Sequence, residues 1–143
     1  MRILFDTNIV LDLLFDREQY SEITAELFTL VESEIIEGYI SASSLTDIYA
    51  LSKETVGNNN AENQLKNLMK IFNVAAVNGP ALEAALESKL DNFHDALVYE
   101  ISLQIGAQGI VTRRVTEFRR TRLPVYTPEE LVKLISTRTS MFR

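Results

Sequence analysis

Five acidic residues of this 143-residue chain stand where they could do chemistry: Asp6, Asp47, Asp91, Asp95 and Glu117. Asp6 directly follows the apolar run Ile3-Leu4-Phe5, and Asp47 lies about one helical turn beyond Tyr39-Ile40-Ser41. Thr112 ends the run Gly109-Ile110-Val111, with Glu117 a few residues later. Asp91 and Asp95 are four apart around the start of a helix, a spacing that puts two side chains on one face. Crowded carboxylates repel and disfavour one another's ionised forms. A hard divalent cation removes that penalty, and Mg²⁺ typically takes one or two carboxylates while keeping several waters. Bound metal activates water and neutralises charge on a phosphoryl group, so the chemistry on offer is metal-assisted phosphodiester hydrolysis. Each acid alone has a plainer reading. Asp6 can cap a helix, as Thr7 or Asn8 can. Asp47 and Glu117 read as surface charges, and Asp91 and Asp95 as acids favouring the positive end of a helix. The signal is the joint placement at strand ends.

The elements that must position these acids alternate. Arg2 to Phe5 reads as a first strand, and Ile9, Val10, Leu13 and Leu14 fall at helical spacing. A second helix is expected over Tyr20 to Glu37, with Ile23, Leu27, Leu30, Val31 and Ile35 on one face and Gly38 closing it. Tyr39-Ile40-Ser41 reads as a second strand, and Ser43 or Ser44 as the cap of a helix carrying Leu45, Ile48, Tyr49 and Leu51. Gly57-Asn58-Asn59-Asn60 predicts a break before an amphipathic helix with Leu65, Leu68, Met69 and Phe72. A third strand is expected at Val74 to Val77, then a turn and a helix from Ala81 to Lys89. Asn92 caps a helix through Ile105 that Gly106 ends. Gly109 to Thr112 and Leu123 to Tyr126 complete the strands, and Thr127-Pro128-Glu129-Glu130 is a capping box for a last helix, Leu131 to Ile135. The pattern predicts one α/β domain over residues 1–143, a parallel sheet of four to five strands sandwiched between helices. In such sheets ligands bind beyond the carboxyl ends of the strands, where Asp6 and Thr112 fall.

The chain has no cysteine, which excludes disulfides, zinc–thiolate sites and iron–sulfur clusters. Its apolar stretches are short, as Ile9 to Phe15 with Asp12 inside it, so neither a membrane span nor a signal segment is expected and the cytoplasm is the expected compartment. The net charge of −6 opposes a nucleic-acid partner, but its distribution does not. Residues 1–111 carry six basic and 17 acidic side chains, whereas residues 112–143 carry eight basic and three acidic. An acidic body can hold a cation while a basic C-terminal segment meets phosphates. Arg113, Arg114, Arg119 and Arg120 surround Phe118 and read as a substrate track, the alternative being solvated or acid-paired arginines.

With these residues in view, the chain resembles the PIN domain family, which includes the VapC-like toxins of toxin–antitoxin pairs. The resemblance covers essentially the whole length. It is carried by Asp6-Thr7-Asn8, by Ile40-Ser41-Ala42 followed by Thr46-Asp47-Ile48-Tyr49, by Phe93-His94-Asp95-Ala96-Leu97, and by Ile110-Val111-Thr112-Arg113 with Glu117-Phe118. Val125-Tyr126-Thr127-Pro128 closes the set. The resemblance implies a metal-dependent endoribonuclease that cleaves single-stranded RNA with Mg²⁺ or Mn²⁺, with an antitoxin protein as partner and a homodimer as assembly. Carried over residue by residue, it places Asp6, Asp47 and Asp95 at the principal catalytic and metal positions, with Asn8, Thr112 and Glu117 in support; Asp91, on the face of Asp95 by its spacing, is with Glu117 a further candidate metal-site acid. Three residues depart from the family pattern. Asp47 stands where glutamate is usual, Arg114 where Asn or Asp is usual, and Glu117 where aspartate is usual. A guanidinium beside a metal site opposes cation binding; alternatively it grips substrate phosphate, or pairs with the acids and leaves the site dead.

Other chemistries find little purchase. His94, the only histidine, adjoins Asp95, but neighbours on a helix point about 100° apart, so a partly exposed or core-edge histidine is expected. There is no G-x-S-x-G and no Walker A sequence. A receiver-type phosphate-transfer domain also uses acids at a strand end, but would place paired acids where this chain has Asp6-Thr7-Asn8. A non-catalytic RNA-binding or regulatory module is the alternative that Arg114 motivates.

Overall fold

The computed structural model describes residues 1–118 and 121–141, with side chains through 138. Its first strand, β1 (Arg2–Phe5), is apolar on both faces because it is buried on both: Ile3 and Phe5 enter one core and Leu4 the other. β1 leads through α1 (Thr7–Leu14) and α2 (Ser21–Glu32) to β2 (Glu37–Ser41), then through α3 (Ala42–Val56) and α4 (Asn58–Ile71) to β3 (Asn73–Ala75). The chain continues through α5 (Gly79–Leu86) and α6 (Phe93–Gln104) to β4 (Gly109–Val111), a 3₁₀ helix (Val115–Phe118), β5 (Val125–Tyr126) and α7 (Pro128–Met141). The five strands are parallel and ordered β3-β2-β1-β4-β5. Helices cover both faces. Residues of α1, α2, α3, α4 and α7 pack around Ile3 and Phe5, and residues of α5 and α6 around Leu4. No helix among the described residues is long and apolar enough to cross a membrane.

The order of the strands makes the site. Connections run from β1 towards β2 and β3 on one side, and from β4 to β5 on the other, so the sheet's direction of growth reverses between β1 and β4. A crevice opens beyond the carboxyl ends of strands at such a reversal. Asp6 and Thr112 are the first residues past those two strands.

Several boundaries differ from the sequence reading. α2 stops at Glu32, five residues early, and Glu34 turns the chain with φ 64°. Gly38 does not end a helix; it sits inside β2, where a Cβ would come within 2.7 Å of the Phe72 ring. That close approach lets Phe72 reach Phe5 and Phe28 at centroid distances of 5.0 Å. Of the expected Gly57–Asn60 break only Gly57, at φ 85°, is non-helical, and the asparagines form the first turn of α4. Ser41 rather than Ser43 or Ser44 caps α3, accepting from the Ser43 N–H. β3 begins and ends earlier, and α7 runs on to Met141. The Asn92 cap and the Thr127–Glu130 capping box form as expected.

Candidate functional site

Asp6 extends the β1–β4 ladder by one bond, its N–H donating to Val111 O at 3.0 Å, and then caps α1. Oδ1 accepts from the Thr7 N–H at 2.9 Å; Oδ2 accepts from Thr112 Oγ1 at 2.8 Å and from Asn8 Nδ2 at 3.1 Å. Asn8 Oδ1 in turn accepts from the Arg113 N–H, and Thr112 Oγ1 from the Arg114 N–H. The Asp-Thr-Asn sequence and the threonine after β4 thus form one network that fixes the Asp6 carboxylate. Asp6 and Thr112 are buried, so these bonds offset the desolvation of a charged group.

α6 supplies the second acid. Asn92 accepts from the Asp95 N–H at 3.0 Å and starts the helix so that Asp95 falls in its first turn. The Asp95 carboxylate is buried, and the Arg114 guanidinium holds both its oxygens, Nη1 to Oδ1 at 3.1 Å and Nη2 to Oδ2 at 2.7 Å. His94 brings Nε2 to 3.8 Å from Asp6 Oδ1, an ion-pair separation rather than a hydrogen-bond length. α3 is tied to α1 by the Thr7 hydroxyl, which donates to Ser44 Oγ at 2.7 Å, and one turn later Asp47 stands exposed. Asp6, Asn8, Asp47, His94 and Arg114, with Leu11 and Leu51 as apolar wall, line an open cleft of about 480 Å³.

The electrostatics follow from this packing. Burial pushes the Asp6 carboxyl up, but His94, the Thr112 hydroxyl and the Thr7 N–H outweigh it, and its pKa lies below the ordinary carboxylate value. His94 is raised by Asp6 against the opposing effect of burial, with Asp95 and Asp47 adding to the rise. Asp95 is raised by burial and by the charge of Asp6, with Arg114 pulling the other way. Two carboxylates, Asp6 and Asp47, therefore share one cleft with one guanidinium and one imidazole, and Asp95 lies behind the guanidinium.

The structure gathers Asp6, Asn8, Asp95, Thr112 and Arg114, with Asp47 at the rim. Asp91 and Glu117 are exposed and do not line the cleft. Arg113 turns away, its Nε 2.7 Å from Asp12 Oδ2, its Nη2 3.2 Å from Asp12 Oδ1, and its guanidinium 4.3 Å from the centroid of the Tyr20 ring. Arg119 and Arg120 lie outside the described residues. Sequence reasoning missed His94. The two neighbours do diverge, His94 into the cleft and Asp95 under Arg114, and it is Asp6 just past β1, distant in sequence, that His94 meets. It also missed Asp12, whose signal was a carboxylate inside the apolar run Ile9 to Phe15.

Among the described residues no group of three acidic or histidine side chains is already arranged as a metal cage. The donor chemistry nonetheless suits a hard divalent ion. Asp6 uses three acceptor positions of the roughly four that a carboxylate offers. Arg114 pairs with Asp95, and His94 stands 3.8 Å from Asp6.

A sequence model described as PIN domain matches residues 2–115. No curated protein matches by sequence. Among solved structures, VapBC2 from Rickettsia felis bound to a promoter DNA fragment aligns with TM-score 0.68 and 15% identity over 89% of this chain and 98% of that one. A toxin–antitoxin complex from Klebsiella pneumoniae gives 0.66 and 21%, covering 88% and 97%. Mycobacterium tuberculosis VapC20, described as a sarcin–ricin loop cleaving toxin, gives 0.62 and 18%, covering 76% and 86%. With the matched segment spanning every element of the cleft, the chain belongs to the PIN domain family.

Proposed function

We propose that this protein is a metal-dependent endoribonuclease, the toxin of a toxin–antitoxin pair, that hydrolyses phosphodiester bonds of single-stranded RNA. The observation that carries the reading is the pair of carboxylates Asp6 and Asp47 lining one cleft beyond β1, with Asp95 behind Arg114 and near enough for the charge of Asp6 to raise its pKa. Family membership and the VapC20 likeness support RNA as substrate, and the VapBC likenesses support an antitoxin partner. A homodimer is proposed on the family resemblance alone.

Asp6, Asp47 and Asp95 would hold the Mg²⁺ or Mn²⁺ ion, which when bound supplies water activation and charge neutralisation at phosphorus. The chain's own residues do the rest. Thr112, Asn8 and the Thr7 N–H hold the Asp6 carboxylate in one orientation, so little reorganisation accompanies reaction. His94, whose pKa is raised by Asp6 and its other acidic neighbours, lines the cleft where an incoming phosphate would lie. The Arg114 fork, 40% exposed and held by Asp95, has the geometry to grip two non-bridging oxygens of a phosphodiester once released. The Leu11 and Leu51 wall excludes water from one side of the cleft.

Asp6→Asn keeps the shape of the side chain and removes its charge. Purified variant incubated with Mn²⁺ and single-stranded RNA is expected to show cleavage reduced at least 100-fold with its circular dichroism unchanged. Near wild-type cleavage would reject the role of Asp6. A second reading, a non-catalytic RNA-binding module, is favoured by one observation, the two-pronged hold of Arg114 on Asp95. RNA binding by wild-type protein without turnover under those conditions would select it.

A further inference from the structure

Arg113 and Arg114 leave β4 in succession, but only Arg114 enters the cleft. Its fork satisfies both oxygens of a carboxylate that is 1% exposed, while its own side chain is 40% exposed. Asp95 therefore meets the cleft through the guanidinium that covers it. Any cation sharing Asp95 with Asp6 must come within a few ångströms of that positive charge, and like charges at such range in a partly buried site repel strongly. Ion and guanidinium exclude each other. The arginine can leave: its side chain is part-exposed at the cleft, it sits on the short half-buried loop ahead of the 3₁₀ helix, and its backbone is held independently by the Thr112 hydroxyl.

We propose that Arg114 is a built-in occupant of the Asp95 end of the cation site, displaced when a divalent ion binds and then free to take a substrate phosphate. The chain thus weakens its own metal affinity and couples loading of the ion to release of a phosphate-binding group. This rests on the metal-site reading above and adds a competitor to it.

Calorimetric titration of the full chain with MnCl₂ tests both layers. Arg114→Gln retains a polar side chain of similar reach without the charge, and is expected to bind Mn²⁺ at least ten-fold more tightly than wild type. Asp6→Asn is expected to lose binding. Equal or weaker binding by Arg114→Gln, with binding still lost in Asp6→Asn, overturns the competitor and leaves the metal site standing. Silence of every protein at millimolar Mn²⁺ overturns both. A wild-type measurement guards against a misfolded variant. The two-pronged pair slows rotation about the Arg114 Nε–Cζ bond, so its Nη resonances should be separate in metal-free protein and merge on adding Mg²⁺. Resonances that stay separate at saturating Mg²⁺ contradict displacement.

Discussion

Two adjacent arginines each clamp a buried aspartate with two nitrogens, and the two clamps are built to opposite ends. Arg113 holds Asp12 at 2.7 and 3.2 Å, and Arg114 holds Asp95 at 3.1 and 2.7 Å. Around Asp12 positive charge is in excess. Arg17 adds a second guanidinium at 3.2 Å, and Tyr20 lies under the Arg113 fork. Around Asp95 negative charge is in excess, with Asp6 and Asp47 nearby, and the group borders an open cleft. A carboxylate with more cation than it needs is a joint, here fastening α1 to the loop after β4. A carboxylate with less is, on the proposed function, the one left to take charge from outside. Sequence cannot separate the two, since both read as Asp with a distant Arg.

The sharpest way to break this contrast is to remove each joint in turn. Asp12→Ala leaves two arginines without their shared partner, and breaking a buried ion pair typically costs several kcal/mol. The arginines can turn to solvent, so the expected loss is about 3 kcal/mol. Arg114→Ala leaves Asp95 without its partner but beside an open cleft that admits water, and should cost less, about 2 kcal/mol. Urea unfolding of the two variants measures the ordering; equal losses would erase the distinction between joint and site.

A smaller effect probes the charge balance of the cleft through pH. His94 has a folded pKa above its ordinary 6.5 because of Asp6, so its pairing stabilises the protein fully below pH 6.5 and is lost as pH rises through the higher folded value. Asp6 runs the other way. Its lowered pKa gives stability present above 3.8 and lost as pH falls through the folded value. In metal-free buffer the difference in melting temperature between wild type and His94→Gln should therefore shrink between pH 6 and pH 9. A constant difference would place His94 outside the acidic cluster.

The sheet was legible in the chain because its central strands are buried on both faces and so appear as unbroken apolar runs, Ile3 to Phe5 and Gly109 to Val111. The placement of Asp6 was legible in the same way, since it is the first residue past β1 and lines the crevice, while Thr112, the first past β4, is buried and donates to it. What escaped was set by tertiary packing. Gly38 looked like a helix stop, but its purpose is to admit the Phe72 ring, a neighbour 34 residues away in the chain. Arg113 looked like part of an RNA track because its partner, Asp12, was hidden in a helix that reads as apolar. His94 was hidden because its neighbour in space, Asp6, is 88 residues away in the chain.

All of this depends on the cleft between α1, α3 and α6 being a place for a doubly charged ion. A crystal soaked in MnCl₂ and measured at the manganese absorption edge tests that directly. The account predicts one anomalous peak coordinated by Asp6 and Asp95, with Asp47 facing it and the Arg114 guanidinium withdrawn. A map with no such peak, and with Arg114 still seated on Asp95 in saturating manganese, would contradict it.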